Sequence, residues 1–200
     1  MTHSAPRLGA LALLAALAAG CATAPAPAPA PVQAPAAAQA AAAPAAAGPV
    51  ELFMVLPESG RVHAFGDTKN YFDFKAHGEN TLTRTKIGEG PGGKTLVFGI
   101  TADDVKANKP SRGEQILSGA IPSGDTFYGE ILRGGRYFLF GSLKDMTDFA
   151  AFGEVPYSYT DIGAGPKGET IVMVMNKDSY PKGKPMERMD RFKTIRAGAK

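Results

Sequence analysis

The second half of this chain repeats the first at a fixed spacing of 75 residues. Residues 60–110 align without a gap on residues 135–185, and 21 of the 51 aligned positions carry the same amino acid. Self-similarity at one spacing indicates a single supersecondary unit that is used twice. We therefore predict two repeats, residues 49–124 and 125–200, that pack as a pseudo-symmetric pair around one core.

Both repeats show the same order of patterns: two short apolar runs, a helix-like segment and two further β-prone runs. In the second repeat, Ser142 with Asp145 three positions later is typical of a helix start, and Gly153 is typical of a helix end. Asp67 and Gly78 hold the equivalent places in the first repeat. Turn residues between the paired runs predict a β-hairpin on each side of the helix. The expected fold is α+β, with two tandem ββαββ repeats and antiparallel sheets. Residues 186–195 are expected to end in a last strand.

The first 21 residues carry the pattern of an export signal. Arg7 precedes an apolar run from Leu8 to Ala19, which is too short to span a bilayer stably. The run leads into Leu17-Ala18-Ala19-Gly20-Cys21, which resembles the lipobox of bacterial lipoprotein precursors. The alternative is an unmodified cysteine beside an ordinary secretory cleavage site.

The lipobox resemblance implies that residues 1–20 are a signal peptide and that Cys21 carries diacylglycerol and a further acyl chain such as palmitate. Lipoproteins of this kind are usually retained in the inner membrane by an Asp after the cysteine, and this chain has Ala22 there. The resemblance therefore implies a protein anchored by lipid in the outer membrane and facing the periplasm. Cys21 is the only cysteine, so intramolecular disulfides are excluded and a cysteine-based metal site is not expected.

Residues 21–48 are interpreted as the lipidated cysteine followed by a tether. Residues 22–48 contain 16 Ala and 6 Pro and no charged side chain. A segment of this composition has little to bury, and alternating Ala and Pro favours extended polyproline II structure. At about 3.1 Å per residue, the tether would reach at most roughly 80 Å.

Residues 88–95 match the G-x₄-G-K-T pattern of a phosphate-binding loop. That chemistry needs a helix to begin at the lysine, because the free N–H groups of the first helical turn hold the phosphates. Here Lys94 is followed by a β-prone run, and Pro91 removes one N–H from the loop. The aligned residue in the second repeat is Glu169, which would repel a phosphate. We predict a glycine-rich hairpin turn and no bound nucleotide.

The histidines of the predicted domain align with aromatic residues. His63 and His77 correspond to Phe138 and Phe152, which indicates packing positions rather than metal ligands or general bases. The sequence supplies neither a second cysteine nor a plausible set of His and acidic residues for a nucleophilic triad. We therefore expect no metal and no cofactor.

Two arginines recur at the start of a strand in both repeats, Arg61 and Arg136. A structural bridge to the helix end near Glu79 is the favoured explanation, and the alternative is that they bind a charged ligand at the pseudo-twofold axis. Tyr157 and Tyr159 have no aromatic counterpart in the first repeat, so they would break the symmetry of a groove between the repeats. These four residues are the candidate ligand-binding residues.

The C-terminal end is strongly basic. Residues 180–200 carry seven basic and two acidic side chains, a net charge of +5, whereas residues 49–179 have a net charge of −3. Such an end is suited to an anionic envelope component, or it is a solvated tail that keeps the protein soluble. Nucleic acid is not an expected partner outside the cytoplasm.

Together these patterns predict a non-catalytic binding or scaffolding module that is held in the envelope by a lipid anchor. Its expected partners are the membrane, through the lipid, and an envelope protein or an anionic envelope component. The alternative is a binder of small ligands or glycans in the groove between the repeats. A carboxylate-dependent enzyme is the third interpretation, since symmetric positions hold Asp73, Asp148, Glu79 and Glu154.

Overall fold

The structure is a computed structural model, and it describes residues 49–198. The predicted signal peptide, Cys21 and the predicted tether lie outside the described residues. Within the described range, no helix is both long enough and apolar enough to cross a bilayer. The longest one has 12 residues.

One mixed sheet of eight strands forms the body of the domain. In chain order the strands are β1 Glu51–Val55, β2 Val62–Phe65, β3 Thr83–Lys86, β4 Leu96–Gly99, β5 Tyr128–Arg133, β6 Arg136–Phe140, β7 Tyr157–Asp161 and β8 Thr170–Met175. In space the order is β3-β4-β2-β1-β5-β6-β8-β7. Strands β1 and β5 therefore lie side by side at the centre, and β3 and β7 are the two edges.

The described residues form five α-helices, which are α1 Thr68–His77, α2 Ala102–Lys106, α3 Arg112–Leu117, α4 Leu143–Phe152 and α5 Met186–Ala197. The predicted helix limits are confirmed for α1 and α4. Asp67 and Ser142 accept a hydrogen bond from a first-turn N–H, and Gly78 and Gly153 end the helices with φ of 79° and 77°. A side chain is strained at such φ values, so glycine is the residue that can end a helix in this way.

The predicted antiparallel sheets are wrong, because the single sheet is mixed. The four expected hairpins are present as the antiparallel pairs β1–β2, β3–β4, β5–β6 and β7–β8. The hairpins join one another through the parallel pairs β1–β5, β2–β4 and β6–β8. Parallel pairing needs a long crossover, and α1 and α4 lie within the connections from β2 to β4 and from β6 to β8.

The predicted last strand is also wrong, because residues 186–197 form α5. Met189, Phe192 and Ile195 are spaced three apart and are all buried, which is the period of a helix face rather than of a strand. The basic C-terminal segment thereby becomes part of the core rather than a free tail.

Each face of the sheet buries its own apolar cluster. Helices α3 and α4 supply Ile116 and Phe149 to one face, where β1 contributes Met54. Helices α1 and α5 supply Tyr71 and Phe192 to the opposite face. Since α1 and α3 belong to the first half (residues 49–124) and α4 and α5 to the second (residues 125–198), each face carries one helix from each half.

A buried carboxylate joins three elements on the α1/α5 face. Glu130 of β5 is fully buried, and it accepts hydrogen bonds from the Tyr71 hydroxyl on α1 and from the Tyr128 hydroxyl at 3.0 Å. Arg196 of α5 donates to both of its oxygens, at 2.5 and 3.0 Å. A buried charge is stable only when it is paired and hydrogen-bonded, so this network fixes how both helices dock on the sheet.

Breaking this ion pair should destabilise the fold. We expect Arg196→Met to lower the free energy of unfolding by about 3–5 kcal/mol, because it leaves Glu130 buried and unpaired. The double variant Glu130→Gln/Arg196→Met should recover much of the loss, since no buried charge remains. Urea unfolding followed by circular dichroism measures both variants.

Lys144→Met is the matched control, because it removes an exposed ion pair with Asp148. It should leave the free energy of unfolding nearly unchanged. Equal losses from Arg196→Met and Lys144→Met would contradict a special role for the buried pair.

Candidate functional site

A groove of about 340 Å³ opens at the end of the sheet where the two central hairpins turn. The β1–β2 turn of the first half and the β5–β6 turn of the second half both line it. Its charged lining residues are Arg61, Lys94 and Arg133, with Glu58 as the single carboxylate. We call this site the arginine groove. It brings cations from both halves together at the junction of the halves.

The β5–β6 turn sets two arginines directly opposite each other. Gly134 and Gly135 have φ of 55° and 70°, as a tight two-residue hairpin turn requires. This turn pairs Arg133 with Arg136 across the hairpin, and paired residues of an antiparallel ladder share a face. Like charges directly opposite each other are destabilising. The position therefore favours an anion that neutralises the pair.

None of the four cations at this end, Arg61, Lys94, Arg133 and Arg136, forms an ion pair with a carboxylate among residues 49–198. By contrast, three cations of the C-terminal segment form ion pairs within the fold. Arg196 binds Glu130, Arg191 binds Glu51 and Lys184 binds Asp161. The groove is thus a place where cations from both halves lie close together without such a partner.

The glycine-rich segment 88–95 forms a hairpin turn between β3 and β4, which confirms the prediction. Lys94 donates from Nζ to the carbonyl oxygens of Ala150 and Ala151, at 2.5 and 3.3 Å. These carbonyls lie in the last turn of α4, where a cation is favourable. Lys94 therefore places its positive charge between α4 and the groove.

Arg133 also lies against α4. Its guanidinium carbon is 5.7 Å from the centre of the Phe149 ring, within the range of a cation–π contact. This contact orients the side chain without neutralising its charge.

The structure does not bring the four predicted ligand-binding residues into one groove. Arg61 lines the arginine groove. Arg136 does not line it, but it is the cross-strand partner of the lining residue Arg133. Tyr157 and Tyr159 lie on β7, an edge of the sheet. The two tyrosines therefore form a separate site, in which both rings contact the ring of Tyr180.

Sequence reasoning missed Lys94 and Arg133 as groove residues. Lys94 aligns with Glu169, so it is not among the residues shared by the repeats, and Arg133 lies outside the aligned residues 135–185. The reversal of charge between Lys94 and Glu169 was a signal that could have identified Lys94, whereas the sequence held no such signal for Arg133.

The predicted packing role is confirmed for His63 and its counterpart Phe138, and it is wrong for His77 and Phe152, which are exposed. The His63 ring lies 4.4 Å from the Phe74 ring, and the Phe138 ring lies 4.4 Å from the Phe149 ring. Burial, together with the positive charge of Arg61, lowers the pKa of His63.

Each half also has a cavity beside its main helix. Asp73 and Glu79 line one of about 760 Å³, and Asp148 and Glu154 line one of about 740 Å³. An exposed ion pair lies at each cavity, since Lys69 contacts Asp73 at 2.6 Å and Lys144 contacts Asp148 at 2.5 Å. Across residues 49–198, no group of three or more His, Cys, Asp or Glu side chains is placed to hold a metal ion.

Lys75 is a titratable group with an unusual environment. Its Nζ donates to the Tyr137 hydroxyl at 2.7 Å and lies 4.8 to 5.3 Å from the centres of three aromatic rings. Burial first, and then the nearby charge of Arg196, lower the pKa of Lys75 to about 8. This amine therefore loses its proton far more readily than an exposed lysine does.

Comparison of the chain with protein-family models, with curated proteins and with solved structures gave no match. The functional argument therefore rests on the sequence patterns and on the geometry of this domain.

The environment of Lys75 predicts an unusual pH dependence of stability. Between pH 8 and 10 the unfolded chain holds a lysine proton that the folded protein has lost, because folding lowers the pKa of Lys75 from 10.5 to about 8. The free energy of unfolding should rise across this window, by about 1–2 kcal/mol once solvent screening of a partly exposed group is allowed for. Urea unfolding at several pH values measures it.

Above pH 10 the free energy of unfolding should fall with pH. Burial raises the pKa of Tyr71 and Tyr128, so only the unfolded chain then loses phenol protons. Lys75→Met should abolish the rise below pH 10 and keep the fall above it. An unchanged profile in this variant would refute the role of Lys75.

The opposed arginines predict a specific response to anions. At low salt, Arg136→Gln should raise the free energy of unfolding by roughly 0.5 kcal/mol, because it removes the repulsion with Arg133. Sodium sulfate should stabilise the unaltered protein more than it stabilises Arg136→Gln, at equal ionic strength. Lys177→Gln, which removes an exposed lysine elsewhere, should respond to sulfate as the unaltered protein does.

Proposed function

We propose that the protein is an outer-membrane lipoprotein, anchored through Cys21, whose folded domain is a non-catalytic binding module for an anionic component of the cell envelope. The lipobox at residues 17–21 supports the anchor. The observation that carries the binding function is the arginine groove, which is lined by Arg61, Lys94 and Arg133. Arg136 lies opposite Arg133, and none of the four has a carboxylate partner among the described residues.

The chemistry of the groove favours a phosphate or carboxylate group. A volume of about 340 Å³ is at the lower end of the range of small-ligand sites. Arginine binds such oxyanions through two parallel N–H donors, and the bond is stronger when the donor is charged. Phosphorylated lipid headgroups are envelope components with this chemistry.

We also propose that the two halves are tandem ββαββ repeats. Helices α1 and α4 have limits that differ by 75 residues at both ends, which supports a shared origin. Counted from the centre of the sheet outward, the strand order is β1-β2-β4-β3 in one half and β5-β6-β8-β7 in the other. The pseudo-twofold axis would run between β1 and β5, and the arginine groove would lie near one end of it.

Anion binding can be tested with the whole chain carrying Cys21→Ser, which prevents lipidation and leaves residues 49–198 unaltered. It should bind vesicles that contain phosphatidylglycerol more tightly than vesicles of phosphatidylcholine alone, and the difference should shrink with added salt. Arg61→Gln/Arg136→Gln should weaken the binding roughly tenfold, which corresponds to about 0.7 kcal/mol per lost charge. Vesicle sedimentation measures the affinity.

Lys106→Gln/Lys109→Gln is the matched control, because it removes the same charge from exposed positions away from the groove. An equal loss of binding in both double variants would show non-specific charge attraction and refute the groove as the site.

The anchor has its own test. Cells fed radiolabelled palmitate should label the unaltered protein, which should fractionate with the outer membrane. Cys21→Ser should carry no label. In-cell crosslinking and mass spectrometry of the two forms then identify an envelope protein whose capture depends on the anchor.

A carboxylate-dependent enzyme is the remaining candidate, because Asp73 and Glu79 line one cavity. Asp73→Ala and Asp148→Ala separate the possibilities. Loss of a hydrolytic activity with an intact circular dichroism spectrum would support the enzyme, whereas unfolding would assign these residues a structural role.

A further inference from the structure

The six tyrosines of the chain fall into two chemically different groups. In the core, the hydroxyls of Tyr71 and Tyr128 bind Glu130, and the hydroxyl of Tyr137 binds Lys75. The other three are Tyr157, Tyr159 and Tyr180, and their hydroxyls make no hydrogen bond within residues 49–198. A phenol hydroxyl can both donate and accept a hydrogen bond, so the hydroxyls of the second group can bind a ligand.

These three tyrosines form a stacked cluster, which we call the tyrosine platform. Tyr180, in a short 3₁₀ turn, lies 5.1 Å from Tyr157 and 5.3 Å from Tyr159 between ring centres, with interplanar angles of 30° and 23°. Tyr157 and Tyr180 are 43% and 39% exposed. The arrangement is a preformed aromatic surface that is open to solvent.

The first half of the domain folds without an equivalent of the tyrosine platform. The aligned residues of the first half are Leu82, Arg84 and Val105. Arg84 instead forms an ion pair of 2.7 Å with Glu114. The first half is therefore built without aromatic residues at these positions, although Tyr159 also packs against the apolar cluster of the α1/α5 face.

Charged groups lie next to the platform. Asp161 follows Tyr157 and Tyr159 on β7 at spacings of two residues, so all three side chains lie on the same face of the strand. Lys184 binds both oxygens of Asp161, at 2.7 and 2.8 Å. Aromatic faces beside a carboxylate and an ammonium match a ligand that has an apolar C–H face and hydroxyl groups around its rim.

We propose that the tyrosine platform is a carbohydrate-binding site, in which pyranose rings of an oligosaccharide stack on Tyr157 and Tyr180. Free phenol hydroxyls and the Asp161–Lys184 pair supply hydrogen bonds to the sugar hydroxyls. This site is separate from the arginine groove. Strand β7 runs in the same direction as β5, so Tyr157, at the start of β7, lies at the opposite end of the sheet from Arg133, at the end of β5.

The test uses the whole chain with Cys21→Ser on an array of bacterial envelope glycans, followed by titration calorimetry with the oligosaccharide that binds best. Tyr157→Leu and Tyr180→Val, which introduce the first-half residues, should each weaken binding roughly tenfold, since each removes a stacking ring. Tyr180→Phe keeps the ring and should weaken binding only about two- to threefold.

Two controls make the result specific. Phe152→Ala removes another exposed aromatic side chain and should leave glycan affinity unchanged. Arg61→Gln/Arg136→Gln should also leave it unchanged, so that failure of the arginine groove and failure of the platform are distinguishable. Thermal unfolding verifies that each variant is folded.

The proposal is overturned if no glycan on the array is bound, or if a bound glycan keeps its affinity in folded Tyr157→Leu and Tyr180→Val. It is also overturned if these variants abolish binding of a protein partner found by crosslinking while no glycan binds. That outcome would assign the platform to protein recognition.

Discussion

The parallel pairing of β1 with β5 is the constraint on which the rest of the structure depends. Because it sets the first strands of the two halves side by side in one direction, it makes a single sheet and brings the β1–β2 and β5–β6 turns to one end. The same pairing lets each face of the sheet receive one helix from each half. The groove between the turns is thus a consequence of how the halves join.

The two faces of the sheet use different chemistry at aligned positions. On the α1/α5 face, Glu130, Tyr71 and Lys75 form a polar network. The equivalent positions of the other half hold Met54, by strand register, and Met146 and Ala150, by alignment. None of these residues carries a charge. Ala150 instead offers a backbone carbonyl to Lys94. The helices of the α1/α5 face are therefore held by the buried Glu130–Arg196 ion pair. On the other face, α4 is held by apolar packing and by Lys94 at its C-terminal end.

Local features were predictable from the sequence and non-local ones were not. Asp67, Ser142, Gly78 and Gly153 identify the limits of α1 and α4, because capping depends on residues within a few positions of each other. Parallel pairing of β2 with β4 depends on how a crossover packs, which no local pattern encodes. The groove joins Lys94 to Arg133 across the halves, so only the tertiary structure reveals it.

The positions of the two proposed sites fit a domain that is held at its N-terminal end. The described chain enters at β1, whose first residue lies at the same end of the sheet as Tyr157, because β1, β5 and β7 run in one direction. The arginine groove lies at the other end, where β1 and β5 finish. An anion in the groove and a glycan on the platform would therefore be separated by the length of the strands. Since neither site would block the other, the domain could hold both ligands at once and link two components of the envelope.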